Sequence, residues 1–127
     1  QAGQYNYMRC WKRKDKIAAG LALAEFVKAG LSMVYLLNRT YAPYYKWMYR
    51  GIRELPVLPR AYGLFGQLAE AQAGEETEGI IERICIIVAA ELQRQGLSDE
   101  TDPFLEAHCE QILDRIQEQR IRNMPQI

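Results

Sequence analysis

Between residues 14 and 38 nearly every position is apolar or small, and the exceptions Glu25, Lys28 and Ser32 fall at i, i+3 and i+7 on one stripe. The pattern predicts a long central helix, buried on most of its sides. Residues 40–42 break it, and Pro43 suits the first position of a second helix, where a missing N–H costs nothing. In that helix Tyr44, Trp47, Met48, Gly51, Ile52 and Leu55 share one face, and Lys46, Arg50 and Arg53 the other, with Tyr45 and Tyr49 on its flanks. Prolines 56 and 59 end it. A third helix is expected over residues 61–73, where Gly63 and Gly66 are spaced for close packing or for a bend.

Two more helices follow from the downstream pattern. Glu75, Glu76 and Glu78 suit the positive end of a helix whose stripe is Ile81, Ile84, Cys85, Val88 and Leu92, and Gly96 marks its stop. Asp102 then caps a fifth helix with Pro103 at its first position and Leu105, His108, Cys109, Ile112, Leu113 and Ile116 as its stripe. No strand pattern occurs. The expected fold is all-α, an antiparallel up-and-down bundle of four to five helices, with one domain covering residues 1–127.

Composition adds a polarity that the net charge conceals. The formal charge is zero, yet residues 1–60 carry eleven Lys or Arg against three acids, and residues 61–127 carry five against thirteen, so the halves are plus eight and minus eight. All eight tyrosines and both tryptophans lie at or before Tyr62. Such a domain offers a basic, ring-rich surface to an anion, or its halves attract one another within the bundle. Cys10, Cys85 and Cys109 are odd in number and irregular in spacing, which points to reduced thiols and a cytoplasmic location. Glu25, Lys28 and Ser32 interrupt the longest apolar run, so neither a membrane span nor secretion is expected.

Self-contained chemistry is hard to assemble from these residues. His108 with Cys10, Cys85 and Cys109 has the ligand types of a zinc site but none of the paired spacings, so no metal is expected in this domain. Adjacent His108 and Cys109 diverge by about 100° on a helix, which does not make a nucleophilic pair. Ser32 and Ser98 stand in neither a phosphate loop nor a nucleophile elbow. Glu25 one turn from Lys28 suits a surface ion pair worth about 0.2–0.5 kcal/mol better than it suits a general base. No catalytic residue is assigned.

The stretch "LLNRTYAPYYKWMYR", residues 36–50, stands apart with five aromatic rings beside Arg39, Lys46 and Arg50. A helix sets Lys46, Arg50 and Arg53 at i, i+4 and i+7 as one basic ridge with aromatic shoulders. That arrangement suits a ligand bearing phosphate and base, through guanidinium or ammonium contacts and ring stacking. A solvated basic face is the plainer alternative.

Four features carry a resemblance: "GQYNYMRC" at residues 3–10, the charged run to Lys16, "LALAEF" at residues 21–26, and "LLNRTYAPYYKW" at residues 36–47. They resemble a family of helical domains of unknown function that follows a nucleotidyltransferase catalytic module in bacterial and archaeal proteins. "FLEAHCEQILDRI", residues 104–116, is similar to that family's closing helix. The resemblance implies an accessory substrate- or nucleotide-binding domain, related to the helical bundles that accompany aminoglycoside-modifying nucleotidyltransferases. It also implies a catalytic module upstream in the native chain as partner, with Mg2+ and a nucleoside triphosphate as that module's cofactors. This chain has neither the Gly-Ser pair nor the Asp-x-Asp of such a module. On the matched motif the expected contacts are Arg39, Lys46 and Arg50 to phosphate, Tyr45 or Tyr41 to a base, and Asn38 as a local hydrogen-bonding group.

Two other readings belong to different classes. A structural or oligomerisation bundle, a homodimer for example, needs no ligand. A ribonuclease-like bundle needs an arginine four to six residues before a histidine, where His108 has Asp102, Pro103 and Phe104.

Overall fold

The computed structural model describes residues 2–97. After a π-helical turn over Ala2–Tyr7, the chain forms α1 (Met8–Lys12), α2 (Lys16–Leu37), a 3-10 turn (Tyr45–Trp47) that runs into α3 (Met48–Ile52), α4 (Arg60–Glu70) and α5 (Glu75–Arg94). No strand occurs among the described residues, and the fold is an all-α bundle. The expected fifth helix, with Asp102, His108 and Cys109, lies outside the described residues.

Two hydrogen bonds fix the directions of the long helices. At one end the Gly74 amide donates to the Tyr7 hydroxyl at 2.9 Å; at the other, Gln95 Nε2 donates to the Leu37 carbonyl at 2.9 Å. Helices α2 and α5 therefore run the same way, and α4 returns antiparallel to α5 through a turn over residues 71–74. The core lies between them. The whole predicted stripe of α5, Ile81, Ile84, Cys85, Val88 and Leu92, is buried against Val34, Leu37, Met48, Ile52 and Phe65. Each large side chain removed from water in this way contributes about 1.5–3 kcal/mol.

Helix α2 begins where the Asp15 carboxylate accepts from the Ala18 amide at 3.0 Å. It ends in a Schellman arrangement, with Arg39 N–H on the Leu36 carbonyl at 3.0 Å and Thr40 N–H on the Tyr35 carbonyl at 3.1 Å. The same motif closes α1 at Lys14 and α5 at Gly96. Each of the three places one residue in the left-handed region: Lys14 at φ 63°, Arg39 at φ 55° and Gly96 at φ 71°. Only the last is the glycine that this conformation favours.

Three expectations are corrected. Helix α2 is not buried on most sides: Ile17 is 80 % and Leu21 65 % exposed, although Phe26, Leu31, Val34, Tyr35 and Leu37 are in the core. By length and composition alone α2 is also long and apolar enough to cross a membrane, a test that core helices pass as well. The second helix starts later than Pro43, because Tyr44 is extended (φ −53°, ψ 143°) and the first turn at Tyr45 is a 3-10 turn. Tyr44 and Trp47 are consequently exposed rather than packed. Finally, Glu25 and Lys28 form no ion pair: the only one among the described residues is Arg94 with Glu91.

Candidate functional site

Helix α2 carries small residues at Gly20 and Ala24, which leave a trough along one of its faces. The 3-10 turn and the start of α3 form the opposite wall. Gly20, Leu23, Val27 and Leu31 follow one another at helical spacing, and with Lys28, Tyr45 and Met48 they enclose an open cavity of about 590 Å3. Leu23, Val27 and Leu31 also line a neighbouring cavity of about 280 Å3, shared with Tyr49, Phe65 and Gly66. The two adjoin along the Leu23, Val27 and Leu31 side chains, and the larger is an apolar trough with a lysine and a tyrosine in its lining. Its size and largely apolar walls suit a small ligand with a planar or apolar part.

The wall opposite α2 is held from beneath. Tyr35 is buried in α2 and its hydroxyl donates to the Met48 carbonyl at 2.9 Å, fastening the start of α3 to the core. Burial also raises the Tyr35 phenol above its ordinary pKa. Gly51 is required here, since a Cβ would run into the Tyr35 hydroxyl. Tyr49 donates to the Tyr62 carbonyl at 3.0 Å and its ring stacks on that of Tyr62 at 4.6 Å, tying α3 to α4. Gly66 is the close approach behind it: a Cβ there would sit 2.7 Å from the Tyr49 hydroxyl.

The residues singled out from the sequence divide into three groups. Tyr45 lines the cavity, with its ring 4.6 Å from that of Tyr44. Arg39, Tyr41, Lys46 and Arg50 are exposed, Tyr41 almost completely at 98 %. The Arg50 guanidinium lies 5.6 Å from the Trp47 ring centre and the Arg53 guanidinium 6.0 Å from that of Tyr62, so two of the three ridge cations rest over rings. Asn38 is fully occupied inside the protein. Its Nδ2 donates to the carbonyls of Val34 (2.8 Å) and Val57 (3.0 Å), and its Oδ1 accepts from the Val57 amide at 2.8 Å.

Lys28, Met48 and the small residues of α2 belong to the cavity and were not anticipated as a site. The signal was there in Gly20 and Ala24, an i, i+4 pair without bulk on a face of a helix rich in leucine and valine. A basic wall also stands at the α1–α2 corner, where Trp11, Lys12, Lys14, Lys16 and Glu75 bound a cavity of about 460 Å3. Among the described residues no group of three or more His, Cys, Asp or Glu side chains is placed to hold a metal ion.

Residues 1–48 match the family model described as a domain of unknown function (DUF4037). No curated protein and no solved structure matches the chain.

Proposed function

We propose that this chain is the accessory, ligand-binding helical domain of a nucleotidyltransferase, and that its trough takes the base or the apolar part of a nucleotide or a small-molecule acceptor. One observation carries the reading: every residue that lines the larger cavity, from Gly20 to Met48, falls within the segment that matches the family model. A family match that coincides with a cavity wall is what a shared binding site requires.

The roles follow from the chemistry of the walls. Tyr45 offers a ring face to a planar group, Lys28 a single cation in the lining, and Lys46 and Arg50 further positive charge on the exposed side of the same turn. An apolar trough excludes water around the ligand and strengthens those charge contacts. Group transfer itself belongs to a catalytic module outside this chain, with its own Mg2+ and nucleoside triphosphate. The domain binds and orients.

The test is titration of nucleoside triphosphates into the protein, its Tyr45→Ala variant and its Lys46→Ala, Arg50→Ala double variant, with the fold checked by circular dichroism. Loss of affinity in both variants supports the reading, and unchanged affinity in both removes it.

A second reading rests on the uncovered face of α2, where Ile17 and Leu21 are exposed. An apolar face of that kind suits assembly with another chain or copy. Under that reading Ile17→Lys, Leu21→Lys changes the sedimentation coefficient while nucleotide affinity is absent from the start.

A further inference from the structure

Lys12, Lys14 and Lys16 do not share a face of any continuous helix, because the middle residue of an i, i+2, i+4 set points away from the other two. The turn between α1 and α2 removes that difficulty. Lys14 takes φ 63°, its N–H bonds to the Trp11 carbonyl at 2.9 Å, and the Asp15 N–H bonds to the Cys10 carbonyl at 3.0 Å. The chain reverses its local course, and all three lysines border one cavity with Met8, Trp11 and Glu75. Three lysines and one glutamate line it.

The corner is built rather than incidental. Trp11 is wedged against Gly74, where a Cβ would meet the indole at 3.0 Å, and Lys16 Nζ lies 5.9 Å from the Trp11 ring centre. Asp15, the acid nearest the lysines in sequence, is spent on capping α2. None of the three lysines is in an ion pair among the described residues. A lysine also stands at a left-handed position that glycine fills more cheaply; the end of a helix favours a cation, but α5 closes the same motif with glycine.

We propose that this corner is a binding site for a polyphosphate group. Three ammonium groups around an open, water-accessible cavity match several adjacent phosphate oxygens, and the site needs no metal to do so. The corner also continues the trough. Lys16 lies one helical turn, about 6 Å, before Gly20 on the same stripe of α2. A nucleotide whose base enters the trough beside Tyr45 can lay its phosphates on the corner. This last relation rests on the proposed function, whereas the polyphosphate site itself does not.

The experiment uses the full 127-residue chain, with inorganic tripolyphosphate and ATP as probes at low ionic strength. The variants are a Lys12→Ala, Lys14→Ala, Lys16→Ala triple and a Lys14→Gly single, the latter relieving the backbone while removing one charge. The site predicts saturable binding of tripolyphosphate, weakened at least tenfold in the triple variant and severalfold in Lys14→Gly, with the fold unchanged by circular dichroism. Tyr45→Ala then separates the sources: weaker ATP with unaltered tripolyphosphate identifies a nucleotide, and equal behaviour identifies inorganic polyphosphate. Unchanged affinity in the triple variant overturns the site, and loss in Lys46→Ala, Arg50→Ala instead moves the phosphate to that ridge, leaving the proposed function standing. Absence of tripolyphosphate binding by the unmodified chain also overturns the site; if ATP is bound none the less, the trough reading survives it.

Discussion

The side chain of Asn38 pairs with both backbone polar groups of Val57, accepting from its N–H at 2.8 Å and donating to its carbonyl at 3.0 Å, across nineteen residues of sequence. The clamp joins the end of α2 to the proline-rich turn that follows α3, and so sets where the chain between them can lie. Asn38→Ala is expected to cost about 1–3 kcal/mol, because two partly buried backbone groups lose their partner. Asn38→Asp keeps the acceptor but turns a carboxylate oxygen towards the Val34 and Val57 carbonyls, and should cost at least as much as alanine. Urea unfolding of the three proteins checks the order.

Tyr35 and Gly51 make a second such pair. The hydroxyl that holds Met48 occupies the space a Cβ at residue 51 would need. Gly51→Ala should destabilise by about 2–4 kcal/mol, through overpacking and loss of the Tyr35 hydrogen bond. Tyr35→Phe frees the space, so the double variant should lose less than the sum of the single ones. Additive losses would show that the two residues do not compete for the same volume.

Much of this fold was legible in the hydrophobic pattern, for identifiable reasons. Helix α5 has a regular apolar stripe with acids at its start and Gly96 at its end, so its bounds and five of its buried positions follow from the pattern, while buried Thr77, Ile80 and Ala89 do not. Helix α2 was placed within two residues at its start and one at its end, since apolar content alone marks a helix of 22 residues. The first twelve residues were not, because Gln, Tyr, Asn, Arg and Trp in succession have no apolar period to read. Tyr44 and Trp47 were assigned to a buried face that a helix from Pro43 would have had; the extended Tyr44 rotates them into solvent. The candidate site was legible only in part. Tyr45 could be named from its motif, but the trough depends on what is missing at Gly20 and Ala24, and the lysine corner on a left-handed residue that no local pattern announces.

Arg39 holds the left-handed position at the end of α2. Arg39→Gly should raise stability by about 0.5–1 kcal/mol, the balance of relieved backbone strain against the entropy of an unfolded glycine. Thermal unfolding measures it. A loss of stability would show that the arginine side chain contributes more than its backbone costs.

Cys85 lies in the core, and burial, reinforced by the nearby Glu82 carboxylate, pushes its thiol up to about 12. The sign is that of an acid held protonated in the folded state. The unfolded chain binds fewer protons between the ordinary thiol value of 9.0 and about 12, so stability present below pH 9 declines through that window. Tyr35 and Tyr49, both raised by burial, act in the same direction. In a Cys10→Ala, Cys109→Ala variant the remaining thiol should resist alkylation at neutral pH and react fully in denaturant. Rapid native labelling would contradict the burial.

The central claim is that the trough along α2 is where ligand enters, and Gly20→Leu tests it without altering a charge. A Cβ at Gly20 meets nothing within 4 Å, and leucine favours a helix over glycine by roughly 0.5–1 kcal/mol, so the variant should fold at least as well as the parent. Its side chain projects into the cavity bounded by Leu23, Tyr45 and Met48. The account predicts unimpaired stability together with nucleoside triphosphate affinity reduced at least tenfold, both read by calorimetry. Affinity equal to that of the parent, in a folded Gly20→Leu protein, would contradict it.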